Sequence, residues 1–257
     1  MRTNEPPVIE TRSLRFAYRH GFRKTSVLHG IDLDIRRGEF VGLMGHNGSG
    51  KTTLLSILST LFPSFQGSIH INGFNLRKQP SQVRSQISVL LEENAVDDLL
   101  SGYENLYFYA KINHLQDASN RILALARMFA IDDKLNDKIE SYSKGMRRKL
   151  ELARCLLDPS KNILLLDEPT ESLDESGRKK AWSYLQKLRD ERGTTALIIT
   201  HSLAEAQYLC DRVIVLKEGM IEHITPSKKP EKEKRILMKG LDADAANGSG
   251  AGAARRL

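Results

Sequence analysis

Apolar and polar residues alternate along the first part of the chain as they do in strands. From Ile31 to Ile35 every second residue is apolar and the intervening ones are aspartates, which is the period of a strand with one buried face. The pattern predicts strands over 8–18 and 27–35. The six residues between Tyr18 and Thr25 are mostly basic and predict a hairpin loop at 19–24.

The next segment joins a short apolar strand to a glycine-rich turn. Residues 40–44 read Phe-Val-Gly-Leu-Met, and the glycines that follow give way to a helical pattern that predicts a helix over 51–61. Asn72-Gly73 marks a turn. One further strand is predicted over 87–91.

Helical periodicity dominates the middle of the chain. Ser101 and Glu104 have the spacing of a capping box, and apolar residues recur between 122 and 129 at the spacing of one helix face. We therefore predict a helical subdomain at about 92–141.

From residue 144 onward helices and strands alternate. The predicted elements are a helix to 157, a strand at 163–167, a helix at about 175–191, a strand at 195–200, a helix capped by Ser202-x-x-Glu205, and strands at 212–217 and 220–224. Alternation of this kind is typical of a largely parallel sheet covered by helices.

Composition narrows the class of protein. Of the 257 residues, 40% are hydrophobic and 28% are charged, which is enough apolar side chain for a core and excludes a disordered, collagen-like or coiled-coil chain. The longest stretch without a charge, 52–76, is broken by Pro63 and Gly67, so no single apolar helix is expected to cross a bilayer.

Two features of the sequence indicate the cellular compartment of the protein. Charged and proline residues at positions 5–10 occupy the place where a signal peptide needs an apolar run, which argues against secretion. Cys155 and Cys210 allow at most one bridge, and we expect them to be reduced cytosolic thiols.

The basic balance is concentrated at one end. The formal charge is +7 overall, and the segment from His223 onward contributes eight Lys or Arg residues against four acids. We predict that 225–257 is a basic, disordered tail, with attraction to anionic lipid or nucleic acid as the alternative. Because no RNP-like or zinc-finger spacing accompanies it, no specific nucleic-acid partner is expected.

The glycine-rich turn has the spacing of a phosphate-binding loop. Its residues are Gly45, His46, Asn47, Gly48, Ser49, Gly50, Lys51 and Thr52, followed by Thr53. Glycines let backbone N–H groups surround phosphate oxygens at a helix N-terminus. In this pattern Lys51 supplies a cation for the phosphates, and Thr52 supplies a hydroxyl for Mg²⁺.

A second chemical element follows the apolar run 162–166. Asp167 stands at the tip of this predicted strand, where it is placed to hold Mg²⁺, and Glu168 is placed to polarise an attacking water. An Asp-Glu pair is also common as a helix cap, and the phosphate loop is what favours the catalytic interpretation.

Residues 8–224 resemble the ATP-binding subunits of ABC transporters. Ser141 to Met146 resembles the signature loop of that family, Ser172-Leu173-Asp174 its D-loop, and His201 its switch histidine. Tyr18 occupies the place of the aromatic residue that stacks on adenine. The fold class that the resemblance implies is an α/β P-loop NTPase of ABC type, with a mainly parallel sheet, an antiparallel β subdomain and a helical insert.

The resemblance also implies an activity and partners. ATP, with Mg²⁺, would be held by residues 45–53 and Asp174 and hydrolysed with Lys51, Glu168 and His201 as catalytic residues, while Ser143 and Gly145 would face the γ-phosphate bound by a second ATP-binding subunit. The sequences around the signature loop and at Gly102–Leu106 resemble those of the drug and lipo-oligosaccharide exporter branch, whose transmembrane subunit is a separate chain. The expected location is the cytoplasmic face of a membrane.

Two positions depart from the family pattern. Lys144 replaces the first glycine of the signature loop, which we expect to be tolerated because the side chain can point outward. Glu92 falls where the family has a metal-contacting Gln. A carboxylate there still offers an oxygen to Mg²⁺ but adds a negative charge. The alternative is that Glu92 and Glu93 belong to a loop face.

Other functions stay open on the sequence alone. One is a soluble ABC-type ATPase acting on ribosomes or DNA, although Ser143 follows Lys51 by only 92 positions, which leaves no room for long coiled coils. Another is a nucleotide-binding regulatory module without hydrolysis, which Glu168 and His201 oppose. A transported substrate would contact another chain, so the sequence does not name it.

Overall fold

The large sheet of the molecule is mainly parallel, as predicted. The computed structural model describes residues 5–21, 23–91 and 96–226, and within them one sheet has six strands. All neighbours in it are parallel except the edge pair β10 and β9. In order across the sheet the strands are β10 (Met220–Pro226), β9 (Arg212–Lys217), β3 (Phe40–Met44), β8 (Thr195–Ile199), β7 (Ile163–Asp167) and β6 (Ile87–Leu90).

A smaller antiparallel sheet forms the predicted β subdomain. Its four strands are, in spatial order, β2 (Arg23–Ile35), β1 (Ile9–His20), β4 (Gln66–Ile71) and β5 (Phe74–Asn75). The predicted hairpin is present, but the bounds 19–24 predicted for its loop are wrong, because Arg19 pairs with Lys24 in the β1–β2 ladder. Charged side chains on an exposed two-stranded ribbon can point into solvent, so basic composition does not end the strands.

Seven α-helices lie in the described part of the chain. They are α1 (Lys51–Leu58), α2 (Pro80–Gln86), α3 (Gly102–Ile112), α4 (Ala118–Met128), α5 (Lys144–Cys155), α6 (Glu175–Arg192) and α7 (Leu203–Leu209). The helix predicted to reach residue 61 ends at Leu58, and Thr60 has a φ of 68°, which no α-helix continues through. The strand β4 and the helix α2 were not predicted.

The predicted capping box is present at the start of α3. The Ser101 hydroxyl accepts from the N–H of Glu104 at 3.2 Å, and the Glu104 carboxylate accepts from the N–H of Ser101 at 2.8 Å. The helices α3 and α4 and two short 3₁₀ turns occupy the stretch between β6 and α5. The domain limits 1–224 and 225–257 stay predictions, since residues 227–257 lie outside the described part.

The core lies on both faces of the large sheet. Along β7, Ile163 and Leu165 pack into the layer that includes α1 and the small sheet, whereas Leu164 and Leu166 pack into the layer that includes α3 to α6. A strand covered on both faces is apolar at every position, which explains the uninterrupted run that precedes Asp167.

Both cysteines are interior thiols. Cys155 in α5 and Cys210 after α7 are buried and are not joined in a disulfide, and burial raises the pKa of Cys155 to about 12. Among the described residues, no helix has the length and apolar character needed to cross a membrane.

Candidate active site

The phosphate loop connects β3 to α1 through backbone conformations that favour glycine. Gly45, Gly48 and Gly50 have φ of 152°, 79° and 103°. A Cβ at Gly45 would lie 2.2 Å from the carbonyl oxygen of Leu216, so the loop packs closely against β9. The positive φ values would also strain the backbone of any residue other than glycine. Because these three positions carry no side chain, the first N–H groups of α1 can approach a phosphate directly, as at other helix N-termini that bind phosphate.

Lys51 is the first residue of α1 and is almost buried, at 6% exposure. Its ammonium donates to the carbonyl oxygens of Gly45 at 2.8 Å and His46 at 3.1 Å. Burial lowers the pKa of Lys51, and the nearby carboxylates of Glu168 and Asp167 partly offset this effect. The cation is thus held between the phosphate loop and the two acids.

The two acids are fixed at the carboxyl end of β7. Asp167 is 2% exposed. Glu168 has a φ of 45°, a left-handed conformation that costs a non-glycine residue about 1 kcal/mol or more. Its N–H donates to the carbonyl of Ile199 at 3.0 Å, which ties this strained residue to the adjacent strand β8.

His201 follows β8 and contacts the side chain of Glu168. Its Nε2 lies 3.4 Å from Oε1 of Glu168, and its backbone N–H donates to Oε2 at 3.3 Å. Burial raises the pKa of Glu168 to about 7, against the opposing effect of the His201 N–H, and the neighbouring carboxylates of Glu205, Asp167 and Glu171 raise it further. A carboxyl group in this range can accept a proton near neutral pH.

Tyr18 lies at the edge of the same region. Its hydroxyl is 3.2 Å from Oγ1 of Thr53 in α1. Its ring makes edge contacts with Phe16, at a centroid distance of 5.0 Å, and with Phe62, at 5.7 Å. The stacking of adenine on Tyr18 stays a prediction.

These groups line one cleft of about 880 Å³, which we call the phosphate-loop cleft. The predicted residues that it brings together are Tyr18, Asn47, Gly48, Gly50, Lys51, Thr52, Thr53, Asp167, Glu168 and His201. Gly45, His46 and Ser49 belong to the loop but do not line the cleft. Three neighbouring parallel strands, β3, β8 and β7, end here, which is the edge at which such sheets bind ligands.

The cleft also contains residues that the sequence analysis missed. Glu205, 2% exposed, accepts hydrogen bonds from the Thr170 hydroxyl at 2.6 Å and from Nε1 of Trp182 at 2.9 Å. The Ser202-x-x-Glu205 spacing predicts only a helix cap. The Ser202 hydroxyl does accept from the N–H of Glu205, but the carboxylate joins the loop after Glu168 to α6 instead.

The predicted signature residues lie outside the cleft. Ser143 is exposed and caps α5 by accepting from the N–H of Met146 at 3.2 Å. Asp174 is also exposed and caps α6 by accepting from the N–H of Gly177 at 3.3 Å. A Cβ at Gly145 would lie 2.8 Å from the carbonyl oxygen of Ser172. We call Ser143, Gly145 and Asp174 the signature surface.

Of the two positions that depart from the family pattern, Lys144 and Glu92, the structure describes Lys144. Lys144 is exposed at the start of α5, in keeping with the expected outward direction. Glu92 and Glu93 lie outside the described residues, so the metal contact assigned to Glu92 stays a prediction.

The donors in the cleft suit Mg²⁺. Thr52 and Asp167 both line the cleft, and a hydroxyl and a carboxylate are hard oxygen donors of the kind that Mg²⁺ prefers. Within residues 5–21, 23–91 and 96–226, no group of three or more His, Cys, Asp or Glu side chains could hold a metal ion. A magnesium ion held by Thr52 and Asp167 would complete its shell with phosphate and water oxygens, as Mg²⁺ does at nucleotide sites.

The sequence and the fold are similar to those of known proteins. Residues 28–171 match the ABC transporter family, and the chain belongs to it. It is an ABC-type ATPase cassette, which binds and hydrolyses ATP.

Several bacterial ATP-binding proteins are similar to the chain in sequence. The chain is 36% identical to the ABC transporter ATP-binding protein NatA of Bacillus subtilis, over 82% of this chain and 89% of that protein. It is 38% identical to the daunorubicin resistance ATP-binding protein DrrA3 of Streptomyces coeruleorubidus, over 79% and 64%. It is 36% identical to the B. subtilis ABC transporter ATP-binding protein YdbJ over 76%. The chain spans 63% of the length of YdbJ.

Solved structures show the same fold. The dimeric ATP-binding cassette MJ0796, in a post-hydrolysis state bound to ADP and Pi, superposes with a TM-score of 0.78 at 26% identity, covering 86% of this chain and 100% of that one.

Proposed function

We propose that this chain is the ATP-binding subunit of an exporter, acting as one of two cassettes against a transmembrane partner on a separate chain. The observation that carries the proposal is the separation of two anion-binding elements. The phosphate-loop cleft holds Lys51, Glu168 and His201, whereas Ser143 stands exposed outside it. A second cassette that presents its own Ser143 would complete the cleft.

Each residue has a role that follows from its contacts. The backbone N–H groups of the phosphate loop and the Lys51 ammonium bind the phosphates and offset their charge. Glu168 accepts the proton of the attacking water, and His201 orients that carboxylate through its contacts at 3.3 and 3.4 Å. Mg²⁺, held by Thr52 and Asp167, would supply charge stabilisation at the phosphate oxygens.

Relatives support the transport part of the proposal. DrrA3 is named for daunorubicin resistance and NatA as an ABC transporter ATP-binding protein, and MJ0796 was solved as a dimer. We infer a peripheral location on the cytoplasmic face of a membrane, since ATP is supplied there.

The dimer is tested with Glu168→Gln, which keeps the shape of the side chain and removes its basic oxygen. We expect the variant to bind ATP and to elute as a dimer in size-exclusion chromatography only when ATP is present. Adding Ser143→Ala to the same variant should abolish the dimer. A Glu168→Gln protein that binds ATP and stays monomeric would contradict the two-cassette arrangement.

The partner is tested by purifying the tagged chain from detergent-solubilised membranes of its own source. Mass spectrometry should find an integral membrane chain in stoichiometric amount. Recovery in the high-speed supernatant with ribosomal proteins, and without a membrane chain, would favour the soluble ABC-type ATPase instead.

A further inference from the structure

A buried arginine joins the signature helix α5 to the catalytic end of the sheet. Arg148 is 8% exposed and lies five residues after Ser143 on α5. Its Nη2 donates to the carbonyl oxygens of Asp167 and, at 2.8 Å, of Glu168. Its Nη1 donates to the carbonyl oxygen of Leu91 at 2.9 Å. One guanidinium thus holds the carboxyl ends of both β6 and β7.

Those two carbonyl groups determine the backbone of Glu168. The Asp167 carbonyl lies in the peptide plane before Glu168, and the Glu168 carbonyl lies in the plane after it, so fixing both planes fixes φ and ψ of the residue between them. Glu168 is in the left-handed region at φ 45°, which persists only where the surroundings hold it. Arg148 and the carbonyl of Ile199 are the groups that do so.

The charge of Arg148 is balanced locally. Its Nη1 also donates to Oε2 of Glu151 at 3.1 Å, and Glu151 is 3% exposed. A buried ion pair contributes little net stability compared with apolar residues of the same size. The planar fork, in contrast, supplies several donors in a fixed geometry that no apolar residue replaces.

We propose that Arg148 is a positioning residue for ATP hydrolysis, which holds Glu168 in its working conformation and links it to the helix that begins at Ser143. The positioning role concerns the hydrolysis step alone. The link to Ser143 rests on the proposed function, because it is a second cassette that would engage Ser143. A displacement of α5 would then reach Glu168 through a single side chain.

The test compares Arg148→Met with two matched controls. Arg147→Met removes the neighbouring arginine, which pairs with Asp98 at the surface, and Glu151→Gln removes the ion pair while leaving the carbonyl contacts. We expect Arg148→Met to lower kcat roughly 10- to 100-fold, the usual cost of misplacing a catalytic group, with ATP affinity measured by calorimetry within about threefold. Both controls should keep kcat within about threefold.

A double variant shows whether Arg148 acts through Glu168. If it does, Arg148→Met should lower the residual hydrolysis of Glu168→Gln by less than about threefold, because residues that act as a unit are not additive. A full additional loss would overturn the proposal, and so would an equal loss of kcat in Glu151→Gln. Dimer formation by Glu168→Gln tests the proposed function separately, so the two failures are distinguishable.

Folding is controlled by a conservative variant. Arg148→Lys keeps the buried charge beside Glu151 but lacks the fork, and its thermal unfolding should stay close to that of the parent. We expect its kcat to lie between those of Arg148→Met and the parent. If Arg148→Met does not fold, the same comparisons are made with Arg148→Lys, and a parental kcat in that variant would overturn the proposal.

Discussion

The phosphate-loop cleft and the signature surface differ in how far one chain completes them. In the cleft, Lys51 contacts the loop after β3, and His201 after β8 contacts Glu168 after β7. On the signature surface, Ser143 and Asp174 are exposed. Ser143 accepts from an N–H of α5, and Asp174 accepts from an N–H of α6 and pairs with Lys149 of α5. Under the proposed function, one chain alone prepares ATP binding, and hydrolysis depends on a contact with a second chain.

The largest effect is expected from removing the cation of the phosphate-loop cleft. Lys51→Ala should weaken ATP binding about 10- to 100-fold, since a hydrogen bond to a charged group contributes about 1.5–3 kcal/mol, and hydrolysis should be lost with it. Calorimetry with ATP measures the affinity. Lys144→Ala removes an exposed lysine at the signature surface and should change affinity less than twofold. Equal affinities in both variants would remove the phosphate-loop assignment.

Ser143→Ala removes the hydroxyl of the signature surface. We expect ATP binding to the monomer to be unchanged and kcat to fall at least about tenfold, because Ser143 is needed only for the ATP-bound dimer that hydrolyses. Loss of the cap should also cost about 1 kcal/mol of unfolding free energy.

Ser101→Ala is the matched control, because Ser101 caps α3 by the same kind of bond at 3.2 Å. It should lose similar stability and keep its kcat. If both variants lose kcat equally, Ser143 acts only as a helix cap.

The raised pKa of Glu168 makes the stability of the folded chain depend on pH. Because burial raises this pKa to about 7, ionisation is disfavoured in the folded state, and the stabilising effect of the protonated form is lost as pH rises from the ordinary carboxyl range through 7. Glu168→Gln does not ionise. Without nucleotide it should therefore be more stable than the parent at pH 8, by less than about 3 kcal/mol because the group is partly solvated, and the difference should shrink at pH 5.

Urea unfolding at the two pH values measures this difference. An advantage of Glu168→Gln that is the same at pH 5 and pH 8 would show that Glu168 is not held in a desolvated environment.

The smallest effect is expected from removing residues 227–257. The composition of this segment offers no apolar face to bury. Thermal unfolding and ATP hydrolysis should match those of the full chain. A lower midpoint of unfolding would show that the tail packs on the domain.

The features of the fold and the site that the sequence could predict are those set by residues close together along the chain. The glycine spacing before Lys51 and the apolar run before Asp167 are local patterns, and both led to residues that meet in one cleft. The contacts of Arg148 could not be predicted in this way, because its partners are 57 positions before it and about 20 after it. Glu205 was hidden by its helix-capping position.

The missed elements have local causes. In β4 the alternation of Ile69 and Ile71 with polar residues was a usable signal, but Gly67 and the Asn72-Gly73 turn obscured it. The helix α2 buries only Val83, so it has almost no apolar periodicity. Its order comes from packing against β5 and β6 instead.

The interior position of both thiols provides a native reporter of unfolding. Cys155 and Cys210 are each at most 2% exposed, and the raised pKa of Cys155 keeps the reactive thiolate scarce. A thiol reagent should therefore modify the chain only as fast as the core opens. Its rate with and without ATP would measure how much the bound nucleotide slows that opening, with no label introduced.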